Sequence, residues 1–292
     1  MEHISTASLV LIWSLSVVAT GYQGQDKPPS PAEQYQTLRK EYDKASSSGV
    51  PLTDAERLKF IGEAYKRRSA LAAKFLELAE KHPSDPIAVD ALMQAVWQVN
   101  TTPWPADLVG DDTTRARAFE LIQRDHLRSD KLGLICLRIN ASFRKEREVF
   151  LRTLVEKSPH KDVRGLACLA LAQFLNNRMQ RLDQVKEQPE LASEYEALFG
   201  KEFLAELQRQ DRARVAREVE TLFERAGKEY GDVKIPYEGT VAQKVKAELF
   251  EFRNLLVGKK APDVEGVDQD GQRFKLSDYK GQVVLLDFWN QF

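Results

Sequence analysis

The chain is poor in the residues that most often announce chemistry. Its 292 residues include two cysteines and four histidines. Neither Cys136 nor Cys168 has a C-x-x-C partner. Both sit in apolar helical surroundings, Leu134-Ile135-Cys136-Leu137 and Leu166-Ala167-Cys168-Leu169, which suits buried structural thiols better than a disulfide or a reactive site. The histidines at 3, 82, 126 and 160 are scattered. His82 and His160 stand beside prolines at helix breaks, where capping or solvent exposure is the default. No H-E-x-x-H, P-loop, G-x-S-x-G or G-x-G-x-x-G is present, so no motif asks for a metal or a cofactor. With 15 glycines and 12 prolines, disorder is not the dominant theme. Charge of one sign is missing as well. A formal net charge of −1 and a pI near 6.5 give no footprint for nucleic acid or an acidic membrane surface.

No apolar run is long enough to span a bilayer. The longest, Ala7 to Ala19, falls short of the roughly 20 residues a membrane helix needs. Its length suits the core of a signal peptide, and Ala19-Thr20-Gly21 offers small residues for cleavage. The usual basic start is absent, since only Glu2 and His3 precede the core. A mis-set start codon or an uncleaved anchor would also fit. The expectation is a signal peptide over 1–24 and export to the periplasm or cell envelope, followed by a polar, Pro-rich linker from Gln23 to Pro31.

What is present is ordinary for a soluble globular protein, with 42% apolar and 30% charged residues. The length allows one or two domains with proper cores. From Ser30 to Leu256 the apolar spacing is mostly helical. Ser30-Pro31-Ala32-Glu33 and Thr53-Asp54-Ala55-Glu56 are capping boxes. The first opens a helix carrying Tyr35, Leu38 and Tyr42. The second opens a long helix with Leu58, Ile61, Tyr65, Phe75 and Leu78, ending before Pro83. Asp85-Pro86 starts another helix. Thr101 to Asp112, with Pro103, Trp104 and Pro105, reads as a loop, and Trp97 and Trp104 read as core or loop-packing aromatics. Shorter helices are expected around Phe119, Leu132, Phe143 and Phe150. Val163 to Leu175 is apolar nearly all round and predicts the buried central helix. Lys201 to Gly231 is dense in both charge signs and predicts one solvated helix with a stripe of Val215, Val219, Leu222 and Phe223. Asp232 to Gly239 reads as a connector, and Thr240 caps a final helix. The breaks at Lys81-His82-Pro83 and Lys157-Ser158-Pro159 share one pattern. They hint at stacked helical hairpins of tetratricopeptide or HEAT type, with an irregular helical bundle as the alternative. Either architecture could offer a surface to a protein partner.

The stretch from Val257 to Phe292 reads differently. Ala261-Pro262-Asp263 suits the outer start of a strand. Asp270-Gly271 marks a tight turn. Arg273 to Leu276 alternates polar and apolar, as a half-buried strand should. Ser277 can cap the short turn from Asp278 to Lys280, which Gly281 ends. Val283-Val284-Leu285-Leu286-Asp287-Phe288-Trp289 is an apolar run broken only by Asp287, and predicts a strand buried on both faces. A lone carboxylate there is costly unless paired or protonated, so a raised pKa is expected for Asp287.

These five elements, in this order and spacing, resemble the opening of a redoxin domain, the thioredoxin-fold group that includes TlpA-like oxidoreductases and AhpC/TSA peroxiredoxins. The fold class expected is therefore mostly α. A helical domain over 25–256 would be followed by a partial thioredoxin-like α/β segment over 257–292. The resemblance implies thiol–disulfide or peroxide chemistry, with protein thiols, disulfides or peroxide as reaction partners. It implies that the reactive Cys follows the spacer Asn290-Gln291-Phe292, so that the chain as given is catalytically incomplete. An in-frame UGA, as a nonsense mutation or a selenocysteine codon read as stop, would account for that. The resemblance also gives Asp287, in a longer chain, the place of the buried Asp that handles the reactive thiol's proton. The alternative is a helical scaffold whose redox domain is vestigial.

Overall fold

The computed structural model describes residues 28–46, 53–97, 113–140, 145–256 and 258–287. The chain opens with α1 (Pro31–Ser46). The expected capping box is formed: the Glu33 carboxylate accepts from the Ser30 N–H at 2.7 Å, and Ser30 Oγ accepts from the Glu33 N–H at 3.3 Å. Helix α2 (Asp54–Lys81) starts directly after Thr53 and stops before Pro83. The two helices meet edge-to-face through Tyr35 and Phe75, with ring centroids 5.6 Å apart. Asp85 Oδ1 accepts from the Ile87 N–H at 2.9 Å and starts α3 (Ile87–Trp97). Next come α4 (Thr113–Asp125), a 3₁₀ turn over Asp130–Leu132, α5 (Gly133–Ile139) and α6 (Lys145–Lys157). The leader at 1–27, the loop with Trp104, and Phe143 lie outside the described residues.

Helix α7 (Lys161–Glu187) is the axis of the core. From Val163 to Asn176 every residue except Arg164 is buried, because α5 and α6 cover it on one side and α10 (Arg212–Tyr230) on the other. This confirms the central helix expected from Val163 to Leu175 and extends it by three turns. The crossing with α10 is close at Gly165, where an added Cβ would stand 2.7 Å from Tyr230 Cβ. Between α7 and α10 the chain makes α8 (Leu191–Phe199) and α9 (Lys201–Gln208).

The single solvated helix expected over Lys201–Gly231 is not what forms. The chain breaks at Arg209–Asp211, and Asp211 caps α10 by accepting from the Ala213 and Arg214 N–H groups at 2.9 and 3.3 Å. Helix α10 then buries Val219, Phe223, Ala226 and Tyr230 against α7. Its charges lie on the opposite face, so dense charge and deep burial coexist on one helix.

The expected connector holds a small antiparallel hairpin, β1 (Lys234–Ile235) and β2 (Gly239–Thr240). Pro236 and Tyr237 occupy its turn, closed by the Glu238 N–H donating to the Ile235 carbonyl at 3.1 Å. Tyr237 adopts φ 65° with its side chain fully exposed. Thr240 and Gln243 form the reciprocal cap of α11 (Val241–Asn254), at 3.3 and 2.9 Å. Arg253 of α11 bridges Glu220 and Glu224 of α10, at 2.7 and 2.6 Å.

Eleven α-helices thus form among the described residues. The two Pro-marked breaks both turn hairpins: α2 packs on α3, and α6 packs on α7. Among the described residues no helix is long and apolar enough to cross a membrane.

Candidate functional site

The segment after α11 is built by local hydrogen bonds. Strands β3 (Glu265–Val267) and β4 (Arg273–Lys275) pair antiparallel, with Glu265 opposite Lys275, Gly266 opposite Phe274 and Val267 opposite Arg273. The turn between them is held by Asp268. Its Oδ1 accepts from the Asp270 and Gln272 N–H groups at 2.9 and 2.8 Å, an Asx-type clamp. Gly271 supplies the positive φ, 78°, that closes it. Phe274 lies across Gly266, where a Cβ would come within 2.8 Å of the ring. Glycine here lets an aromatic ring cover the backbone of the facing strand.

A second clamp joins the two ends of the hairpin. The Asp263 carboxylate accepts from the Ser277 N–H at 2.9 Å and from Ser277 Oγ at 2.8 Å. These two hydrogen bonds hold the Asp263 carboxyl below its ordinary range. The Val264 carbonyl accepts from the Leu276 N–H at 2.8 Å. The chain then makes a 3₁₀ turn, Leu276–Tyr279, and the N–H of Lys275, just before it, donates to Asp278 Oδ2 at 2.8 Å. Ser277 therefore binds back to Asp263, and Asp278 takes the capping role expected of Ser277. Lys275 also pairs across the hairpin with Glu265.

From Val283 to Asp287 the expectation fails. No strand forms over these residues, and Val283 and Leu285 are 103% and 91% exposed. A strand buried on both faces needs partners on both edges and cover on both sides. Among the described residues this segment offers only the two-stranded β3–β4, and no residue of 258–287 is buried. Asp287 is exposed with its neighbours and not buried in an apolar strand. Phe288 to Phe292 lie outside the described residues.

The order is hairpin, Asp-clamped turn, 3₁₀ turn and apolar run, directly after a helical body. Residues 257–292 match the AhpC/TSA family. This stretch is the redoxin segment identified from its sequence pattern. No curated protein and no solved structure matches the chain.

The redoxin segment contains no cysteine, so the only thiols of the chain are in the helical body. Both are free and buried. Cys136 Sγ donates to the Leu132 carbonyl at 3.3 Å, and burial pushes its thiol far up. Cys168 Sγ donates to the Leu222 carbonyl at 3.4 Å, and burial pushes it up to about 11. Neither supplies a thiolate at neutral pH. His160 is half-buried at the start of α7 and bonds the Arg128 carbonyl through Nε2 at 2.8 Å, so it ties two elements together. Sequence reasoning quoted the A-P-D triplet but missed the role of Asp263. Its partner, Ser277, lies fourteen residues on, a separation that no local rule covers.

Proposed function

We propose that the protein is an exported redoxin that exchanges thiols and disulfides or reduces peroxide, with a helical module preceding its redox domain. Residues 257–292 would form the entry part of that domain and residues 25–256 the module. The observation that carries this is the coincidence of the β3–β4 hairpin, the Asp263–Ser277 clamp and the LLDFW run with the family match. The reactive thiol or selenol is assigned to the position after the Asn290-Gln291-Phe292 spacer, where the resemblance puts it. Asp287 would become buried behind it once further strands cover the run from Val283. The apolar leader from Ala7 to Ala19 supports a cell-envelope location, where protein thiols, disulfides and peroxide are the available substrates. Reading the gene past the Phe292 codon tests this first. A Cys or Sec codon followed by further strand patterns supports it. The complete product should then reduce insulin disulfides or peroxide, and a Cys→Ser or Sec→Ser variant should not. A frame without that codon or those patterns refutes it.

The second reading is a helical scaffold, since neither buried thiol offers a reactive sulfur within the helical body. If the complete product is inert in both assays, the helical module is the working part, a scaffold for protein partners carrying a vestigial redox segment.

A further inference from the structure

The C-terminal half of α7, together with α9 and the start of α10, encloses a small pocket away from the redoxin segment. Its walls are apolar: Met179, Leu182, Leu207 and Val215. Arg178 and Lys186 supply positive charge, and the Asp183–Arg212 ion pair, at 2.6 Å, closes one side. The atom-free space is about 370 Å³, open mouth included.

Arg178 is the unusual member. Its side chain is 4% exposed, yet it has hydrogen-bonding capacity left over. Nη1 donates to Glu148 Oε2 at 2.5 Å, and the guanidinium carbon lies 5.5 Å from the centre of the Phe174 ring. Nε and Nη2 donate to no residue among those described, and neither is sealed away from solvent-sized space. These two atoms form the side-on edge of the guanidinium, the edge that takes a carboxylate through two parallel hydrogen bonds. Glu148 is shared with Arg152, whose other edge holds Glu218 at 2.7 Å. Among the residues that line the pocket, Arg178, Lys186 and Arg212 stand against Asp183 alone. The site therefore favours an anion, and its walls favour a short hydrocarbon tail.

We propose that this pocket binds a small aliphatic carboxylate. The carboxylate sits on Nε and Nη2 of Arg178, and the alkyl chain lies along Met179, Leu182, Leu207 and Val215 towards Lys186 at the mouth. Binding here is independent of the redox assignment and needs no residue beyond α10.

The test is titration of the full chain with sodium butyrate at constant ionic strength, followed by NMR or calorimetry. Butylammonium chloride and sodium chloride are the controls. Saturable butyrate binding is expected in about the millimolar range, with no saturable response to either control. Val215→Phe fills the pocket without touching the ion pairs and should abolish binding. Lys186→Glu, at an exposed site, should weaken it severalfold. Arg178→Lys keeps the charge but loses the side-on edge and should weaken it about tenfold or more; if that variant fails to fold, Val215→Phe decides. Absence of binding, an equal response to butylammonium, or butyrate binding unchanged by Val215→Phe would each overturn the proposal.

Discussion

Replacing Glu148 tests how the helical body is held together. This carboxylate joins α6 to α7 through Arg178 at 2.5 Å, and Arg152 on its own helix, at 2.8 Å, relays the link to Glu218 of α10 at 2.7 Å. Arg178 is 4% exposed and Glu148 18%. Removing one partner of a buried pair costs about 3–5 kcal/mol, because the remaining charge stays buried. Here the lower end applies, about 3 kcal/mol, since Arg178 keeps one edge on a pocket open to solvent. For a body of this size that corresponds to a fall in Tm of about 6–12 °C. Glu148→Ala should show this by urea and thermal unfolding at pH 7. Glu148→Leu combined with Arg178→Met, which removes both charges, should cost much less than Glu148→Ala. The pH dependence is a second check. Burial pushes the Glu148 carboxyl up, but Arg178 and Arg152 outweigh it and hold the group below its ordinary 4.5. Its contribution is therefore complete above about pH 4.5 and is lost as pH falls through the lowered folded value. The stability gap between wild type and Glu148→Gln should close on acidification. A Glu148→Ala cost under about 1 kcal/mol at pH 7, or a gap to Glu148→Gln equal at pH 7 and pH 3, would refute the network as a structural tie.

Four further outcomes are expected. Gly165→Ala places a Cβ 2.7 Å from Tyr230 Cβ and 3.2 Å from Val233 Cγ2; overpacking at this rigid crossing should outweigh the gain in helix propensity and cost about 1–2 kcal/mol by urea unfolding. Tyr237→Gly relieves a side chain held at φ 65° that is fully exposed, and should raise stability by up to about 1 kcal/mol in the same assay. Cys136 and Cys168 should resist an aromatic disulfide reagent at pH 8 and react only after unfolding, because both are buried with raised thiols; native labelling would show local opening. Brief trypsin treatment should cut first after the exposed Lys259 and Lys260 and release the redoxin segment from an intact helical body, read by mass spectrometry.

Caps, breaks and the central helix could be read from the sequence because their causes are local. Ser30 and Glu33, Thr240 and Gln243, and Asp85 with Ile87 meet within two or three residues. Helix α7 announces itself because it is apolar nearly all round from Val163 to Leu175, whatever packs on it. The redoxin hairpin was legible for the same reason, since Asp268, Asp270 and Gly271 specify the turn among themselves. The break at Arg209–Asp211 was hidden by charge, because an Asp inside a run of Glu and Arg looks like one more solvated residue until its carboxylate caps α10.

What escaped depends on partners far along the chain. Arginine is ordinarily a surface residue, so nothing in the composition marks Arg178 as buried; its burial follows from Glu148, thirty residues earlier, and from Phe174 one helical turn away. The run from Val283 failed in the opposite direction. Its β-branched and apolar residues record the environment a complete sheet would provide, and the hairpin from Glu265 to Lys275 supplies only a small part of it. Hydrophobicity in a strand is a demand on its neighbours. Val283 to Leu286, part of the stretch that matches the family, are therefore left in solvent, and Asp287 is exposed with them. If that demand is what the segment encodes, covering the run should bury Asp287 with its neighbours, a change that amide hydrogen exchange over 283–287 in a product extended beyond Phe292 would detect. Exchange over 283–287 that stays equally fast with and without the extension would separate the family resemblance from any role of Asp287.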